Sequence, residues 1–280
     1  MHARTRRRHG VTLLELLVVI AVIALLAGVL MPALGAARER GRVAVCLSNL
    51  HSIGAGVGMY QSENHNLPWT YVHGVDDQGD FQTFPGASGF TSFSWGGMLP
   101  PVSPGAVDSQ VTPVELRPMT PYLSPGASGF DTVRVYVCPS DRSASNPGIG
   151  GGPGTAAASF DPSGAAPNWR VFGTSYSINW HWIWSFAGRQ PEMTSLVKRL
   201  LHFGPELIRN ADAGRLIIVS ENHFDQMMGA ALAPGQRPQG GQGFGWHRRF
   251  SHHAISFLDG HAEYRRLDTQ FTSGPGWLVR

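Results

Sequence analysis

Apolar residues are concentrated near the N-terminus, in a run from Leu16 to Leu34 that contains no charged side chain. A helix of about 20 residues crosses roughly 30 Å of hydrocarbon, so the run is long enough to span a bilayer. We therefore predict a transmembrane helix over residues 11–34.

A different pattern follows the apolar run. Apolar residues recur at steps of three and four, the spacing of one face of a helix: Val43, Leu47, Leu50, Ile53, Val57 and Tyr60. This pattern predicts an amphipathic helix over residues 35–66 that continues outward from the membrane and packs on a sheet of the same chain. Three glycines along it, Gly54, Gly56 and Gly58, suggest close packing of the sheet on the helix. Pro68 should follow its end.

Residues 67–280 read as a β-rich extracytoplasmic domain. The chain has 35 Gly and 20 Pro, a composition that favours long surface loops. Short helices or turns are expected around 114–123 and 191–209. Alternating or strongly apolar segments predict strands at 133–137, 173–179 and 215–221, and a hairpin over 253–265. Asp259-Gly260 predicts a type I′ turn in that hairpin, and the fold class is α+β.

The positive charge of the chain lies mostly ahead of the apolar run. Residues 1–10 form a basic leader with Arg4, Arg6, Arg7 and Arg8, which favours a cytoplasmic N-terminus and export of the rest. Removing this leader would change the formal net charge from +3 to −1. The remaining chain has no net attraction for phosphate, so nucleic acid is not an expected partner.

Glu15 is the unexpected residue of the apolar helix, since a carboxylate at the centre of a bilayer costs about 2.5 to 3.5 kcal/mol. With it, the segment Gly10-Val-Thr-Leu-Leu-Glu15 resembles the N-terminal signal of type IV prepilins and type II secretion pseudopilins. Val11 stands where those proteins most often carry Phe. The resemblance implies that a prepilin peptidase cuts between Gly10 and Val11 and methylates the new amine of Val11.

The charge of Glu15 then has a physical use. As the fifth residue of the cut chain, its carboxylate can pair with the α-amine of a neighbouring subunit when helices bundle. The alternative is a single-pass anchor in which Glu15 only reaches the membrane interface. A secretory signal peptide fits less well, because the apolar run is too long and no Ala-x-Ala site follows.

Several downstream motifs resemble a family of bacterial prepilin-like proteins with a C-terminal domain of unknown function. They are Cys46-Leu-Ser-Asn-Leu50, Asn64-His-Asn-Leu-Pro68, Cys138-Pro-Ser-Asp141, Ser175-Tyr-Ser-Ile-Asn179 and the Asp259-Gly-His261 hairpin. The long loops between these motifs resemble nothing specific.

The two cysteines, Cys46 and Cys138, allow one disulfide outside the membrane, or two buried thiols. The sequence does not show whether their Cα atoms lie close enough for a disulfide, so both alternatives stay open.

Catalytic and metal chemistry is weakly indicated. A zinc site would draw on Glu221, His223, His247, His252, His253, Asp259 and His261, yet none of these residues shows a typical ligand spacing. Calcium, which major type II pseudopilins bind, would use Asp141, Asp225, Asp259 and Glu221, which are scattered. No Gly-x-Ser-x-Gly elbow accompanies the Ser, His and Asp residues. The tryptophans suit core or subunit packing, with sugar stacking as the alternative.

The sequence thus predicts a pilin-like, non-enzymatic structural subunit of a type II secretion pseudopilus or type IV pilus-like filament. Its expected location is the bacterial inner membrane, as a single-pass protein with the C-terminal domain outside, and, after assembly, a surface or periplasmic filament. Expected partners are a prepilin peptidase, other pilin or pseudopilin subunits and membrane lipid. No cofactor is expected, and calcium is the alternative. The competing hypothesis is a membrane-tethered binding module, for polysaccharide for example, that does not polymerise.

Overall fold

The computed structural model describes residues 13–68, 95–98, 114–128, 133–141, 167–179, 182, 196–221, 224, 245–247, 249–268, 271 and 273–279. The chain divides into two compact units, Met1–Gly41 and Arg42–Arg280. The predicted leader, residues 1–10, lies outside the described residues.

Helix α1, Leu13–Asn64, is continuous through Pro32 and ends four residues before Pro68. In its C-terminal part the predicted apolar stripe is confirmed. Leu50, Ile53, Val57 and Tyr60 are buried, and Leu47 packs at the edge of the same core.

The shorter helices lie in the second unit. They are a 3-10 helix at Val114–Leu116, α2 at Thr120–Leu123, a second 3-10 helix at Arg134–Tyr136, α3 at Asn168–Phe172 and α4 at Leu196–Asn210. Helices are therefore present within 114–123 and from Leu196 to Asn210, where the sequence predicted short helices or turns. Residues 191–195 lie outside the described residues.

Four antiparallel strands form the main sheet in the order β1-β2-β3-β4: β1 Tyr176–Ile178, β2 Ile217–Glu221, β3 His252–Phe257 and β4 Ala262–Arg266. A separate two-stranded ribbon pairs β5, Ser273–Gly274, with β6, Trp277–Leu278. The predicted strands at 173–179 and 215–221 and the predicted hairpin are confirmed.

The main sheet is covered on both faces, which explains why β2 is buried along its whole length. On one face Ile218 and Ala254 belong to the same core cluster as Leu50 and Ile53 of α1. On the other face a second cluster contains Ile217, Phe224, Ile255, Phe257, Leu267, Trp277 and Val279. A strand buried on both faces reads as a continuous apolar run, as β2 does.

Close contact of helix and sheet depends on Gly54. A Cβ at this position would lie 2.7 Å from Ser256 Oγ and 2.9 Å from the backbone of Gly260. A Cβ at Gly56 would instead meet the side chains of Leu123 and Met119, outside the sheet. Gly58 has no neighbour within 4 Å of its would-be Cβ. The prediction of sheet packing is therefore right for Gly54 and wrong for Gly56 and Gly58.

The strand predicted at 133–137 is wrong. Tyr136 N–H donates to Val133 O (3.1 Å) and Val137 N–H donates to Arg134 O (3.0 Å), which closes a 3-10 turn. Two carbonyl oxygens of this segment accept hydrogen bonds from other parts of the chain. Tyr136 O accepts from Ser175 N–H (2.8 Å), and Val137 O accepts from Asn49 Nδ2 (3.0 Å). The alternating side chains of this segment therefore do not make it a strand, because its backbone groups bond within the turn and to Ser175 and Asn49.

The predicted type I′ turn is also wrong. Gly260 N–H donates to Phe257 O (2.9 Å), and Phe257 N–H donates to His261 O (2.9 Å). The loop therefore has three residues, and among them only Gly260, with φ of 87°, is left-handed. This is the three-residue hairpin loop that ends in a glycine bulge. It brings the backbone of Gly260 against Gly54 of α1.

Substituting the helix glycines tests this packing. Gly54→Ala should lower the free energy of unfolding by about 1–3 kcal/mol, because its Cβ meets backbone that has no room to move. Gly58→Ala is the matched control. It should be neutral or raise the free energy of unfolding by up to about 1 kcal/mol, since alanine favours the helix and nothing opposes it. Denaturant unfolding of the detergent-solubilised chain, followed by near-ultraviolet circular dichroism, measures both. Equal effects would contradict the close approach.

Candidate functional site: the apolar helix and the disulfide corner

The N-terminal part of α1 has an apolar surface on every side. Its large hydrophobic side chains are each at least half exposed: Leu13, Leu14, Leu16, Leu17, Val18, Val19, Ile20, Val22, Ile23, Leu25, Leu26, Val29, Leu30, Met31 and Leu34. Among the described residues, α1 is the helix long and apolar enough to cross a membrane. Soluble proteins rarely expose an apolar patch of this size, so this surface is compatible with a single-pass membrane anchor or with contact to another protein.

Glu15 lies in the first turn of α1, and its side chain is exposed. It is the one acidic residue between Leu13 and Leu34. The N-terminal end of a helix carries partial positive charge, which stabilises a carboxylate at this position. The predicted processing residues Gly10 and Val11 lie outside the described residues.

Beyond the apolar segment, a disulfide joins Cys46 of α1 to Cys138, with the two Cα atoms 5.4 Å apart. Both cysteines are buried. The imidazole of His247 lies beside them, with Nε2 3.8 Å from Cys138 Sγ. We call Cys46, Cys138 and His247 the disulfide corner. A crosslink over a separation of 92 residues removes about 4 to 5 kcal/mol of chain entropy from the unfolded state. The covalent bond therefore ties the start of the globular unit to its interior.

Asp141 closes the turn that begins at Cys138, with its own N–H donating to Cys138 O (3.0 Å). Its buried carboxylate accepts from the N–H groups of Asn168 (2.9 Å) and Trp169 (3.1 Å), at the start of α3, and from Ser175 Oγ (2.6 Å). Burial raises the pKa of Asp141 to about 6, although these hydrogen bonds oppose the shift. One carboxylate thus links the cysteine turn, α3 and the segment leading into β1.

Glu221, at the end of β2, is fully buried. Its two oxygens accept different backbone bonds, one from Trp246 N–H (2.7 Å) and one from Ala254 N–H (2.5 Å). Burial raises the pKa of Glu221 to about 8, again against the effect of the two donors. A raised pKa can mark an acid–base catalyst. Here, however, both oxygens are engaged with backbone inside the core, which is the arrangement of a structural carboxylate.

Those zinc candidates that the structure describes do not share one site. His253 is buried with its ring 5.2 Å from that of Phe224, whereas His252 lies beside Tyr264. Asp259 and His261 form an exposed pair in the hairpin, with His261 Nδ1 2.5 Å from Asp259 Oδ1. His223 and Asp225, the latter a calcium candidate, lie outside the described residues.

The described residues do contain one group whose ligand atoms could share a metal ion. It is the disulfide corner, where the Sγ atoms and an imidazole nitrogen all lie within 4.8 Å of one another. Sequence reasoning considered His247 without the cysteines. No local signal could have joined them, because His247 is 109 residues from Cys138.

Comparison with known proteins supports both family resemblances. The model of the prokaryotic N-terminal methylation motif matches residues 5–31. The model described as "Protein of unknown function (DUF1559)" matches residues 35–188, more than half of the chain. The matched ranges include Gly10, Val11 and Glu15 in the first case and both cysteines in the second. The two resemblances drawn from the sequence are therefore confirmed.

A curated relative is the "Type IV wide pilus major component PilA4" of Thermus thermophilus, which is 46% identical over 61 residues. The aligned part is 22% of this chain and 47% of that protein, so the chain spans about half the length of the curated relative it matches. No solved structure matches the chain.

The structural role of Glu221 can be tested by an isosteric change. Glu221→Gln should lower the free energy of unfolding by about 1–3 kcal/mol, because the amide NH₂ cannot accept a backbone N–H bond and leaves one buried donor unsatisfied. Glu263→Gln, at an exposed ion pair, is the control and should change it by less than about 1 kcal/mol. Denaturant unfolding at about pH 4 compares them, because Glu221 is then largely uncharged in both the folded and the unfolded chain and its raised pKa contributes little to the difference. Equal stability of the two variants would rule out the bonding described.

Proposed function

The chain belongs to the family described as "Protein of unknown function (DUF1559)", and from its N-terminal helix we propose that it is a structural subunit of a pilin-type filament. A prepilin peptidase cuts between Gly10 and Val11 and methylates the amine of Val11. The mature subunit is held in the bacterial inner membrane by the first part of α1, with the globular unit outside, until it joins the filament.

The observation that carries this proposal is the character of α1. Its N-terminal part exposes apolar side chains on all sides, while Glu15 is the one acidic residue there. A membrane anchor needs the apolar surface but not the acid. The methylation motif matched over residues 5–31 supports a reason for the acid, because cleavage after Gly10 would make Val11 the new N-terminus and Glu15 the fifth residue of the cut chain.

In the proposed assembly step, the apolar side chains of α1 leave lipid and become surrounded by protein. In the membrane, lipid covers the apolar side chains of α1. In the filament, helices of neighbouring subunits cover them, and the α-amine of one subunit pairs with Glu15 of the next. An ion pair in apolar surroundings is favourable when the geometry is good, and removing one partner leaves a costly buried charge. Glu15 and the new amine therefore define the position at which two subunits join.

A type IV pilus-like filament is the assembly proposed here, and the similarity to a type IV wide pilus major component over 61 residues supports it. Hydrogen bonds inside the globular unit support a structural rather than a catalytic role for the chain. Its two buried carboxylates with raised pKa values, Asp141 and Glu221, hold backbone segments together. Partners of the proposed subunit are the prepilin peptidase, further pilin subunits and lipid.

Replacing the acid separates a filament subunit from a simple tether. In the producing bacterium, Glu15→Ala should remove the chain from sheared filaments while its amount in the membrane stays the same, because anchoring does not need the carboxylate. The measurement is quantitative immunoblotting of the sheared and membrane fractions.

Glu63→Ala, in the last turn of the same helix, is the matched control and should leave the chain in the sheared fraction. If Glu15→Ala is found in filaments at the wild-type level, or if the wild-type chain is never found there, the proposal is wrong. The second outcome would favour the membrane-tethered binding module.

A further inference from the structure

The disulfide corner places three metal-binding side chains around one buried point. Cys46 and Cys138 are at most 1% exposed, and His247 is 5% exposed. Their ligand atoms lie within 4.8 Å of one another. The imidazole nitrogen that approaches the cysteines is Nε2, and it lies 3.8 Å from Cys138 Sγ.

These distances are close to those of a tetrahedral zinc site. With metal–sulfur bonds of about 2.3 Å and a metal–nitrogen bond of about 2.0 Å, tetrahedral angles place two sulfurs about 3.8 Å apart, and sulfur and nitrogen about 3.5 Å apart. The observed separation of Cys138 Sγ from Nε2 is 3.8 Å. The two sulfurs would have to move apart, and breaking their bond allows this.

We propose that the reduced form of this chain binds one zinc-class divalent ion through Cys46, Cys138 and His247. Two thiolates and one imidazole are a known zinc ligand set that leaves a fourth position for water. Disulfide and metal site are then alternative states of the same three residues, one oxidised and one reduced.

The chemistry of the change balances simply. Reduction of the disulfide to two thiols takes two electrons and two protons. A dithiol supplies both and becomes a disulfide itself, whereas a phosphine supplies the electrons, takes up the oxygen of one water molecule to become a phosphine oxide, and leaves the two protons of that water for the thiols. Binding of the divalent ion then releases the two thiol protons, because only the thiolate is a strong ligand. The metal-bound chain has no sulfur–sulfur bond, so the disulfide form cannot bind the ion in this way.

The surroundings favour an ordered site in the reduced chain. Asn49 Nδ2 holds Val137 O at 3.0 Å, next to Cys138, and Cys138 N–H donates to Ser175 Oγ at 3.0 Å. The His247 ring packs edge-on against Tyr264, with ring centres 5.3 Å apart. These contacts do not involve the sulfur–sulfur bond, so they hold both cysteine backbones and the imidazole near one another after reduction.

Cobalt(II) is a suitable probe, since it replaces zinc and gives a thiolate charge-transfer band. The full-length chain in detergent is reduced with a phosphine under anaerobic conditions and titrated with Co²⁺, and Zn²⁺ is then added in competition. We expect one Co²⁺ per chain, a charge-transfer band and its loss on addition of Zn²⁺. The same chain with the disulfide intact should show no such band.

Variants identify the ligands. His247→Ala should weaken Co²⁺ binding by about tenfold or more, since loss of a ligand costs at least as much as loss of a supporting group. Cys46→Ser should reduce or abolish the thiolate band. His51→Ala, at an exposed histidine of α1, is the matched control and should bind like wild type. Near-ultraviolet circular dichroism shows whether each reduced variant is folded.

Three results would contradict the proposal of a metal site at the disulfide corner. The first is a reduced wild-type chain that binds Co²⁺ no more tightly than the disulfide form. The second is binding that His247→Ala leaves unchanged. The third is a reduced chain that unfolds and does not regain its near-ultraviolet signal when Co²⁺ is added. Recovery of that signal on metal addition would support the proposal, because folding and binding would then be coupled.

Discussion

Helix α1 has two apolar surfaces that must be buried in different ways, and the rest of the molecule follows from this constraint. Towards its C-terminal end, one face packs on the sheet of its own chain through Leu50, Ile53 and Val57. Towards its N-terminal end, the apolar surface surrounds the helix and the same chain leaves it exposed. The first surface drives folding of the globular unit, and the second is compatible with a membrane anchor or with packing against other copies of the helix.

In the globular unit, packing on α1 is fixed by a few specific contacts rather than by hydrophobicity alone. Gly54 lets the β3–β4 hairpin approach the helix backbone. The disulfide holds Cys46 to the turn that ends in Asp141, and Asp141 in turn holds α3 and Ser175. Glu221 joins β2 to β3 and to Trp246. Buried polar groups with their hydrogen bonds made specify how separate loops are joined in the core.

Elements whose signal is local were predicted well from the sequence. The stripe on α1 has helical spacing, β2 is an apolar run, and Asp259-Gly260 lies between two alternating segments.

The wrong predictions concern features that depend on partners distant in sequence. Residues 133–137 alternate like a strand, but their carbonyls bond to Asn49 and Ser175, so the segment turns instead. The turn type of the hairpin was missed because an Asp-Gly pair suits both two-residue and three-residue loops. The approach of His247 to the cysteines has no signature in spacing, because it is created by the tertiary fold alone.

The central claim is that Glu15 faces a newly made amine, and the N-terminus of the native protein tests it most directly. Intact-mass and N-terminal fragment analysis of the chain purified from its own bacterium would identify the first residue. The account predicts a chain that begins at N-methylated Val11 and lacks residues 1–10. A native chain that still begins at Met1 would contradict it.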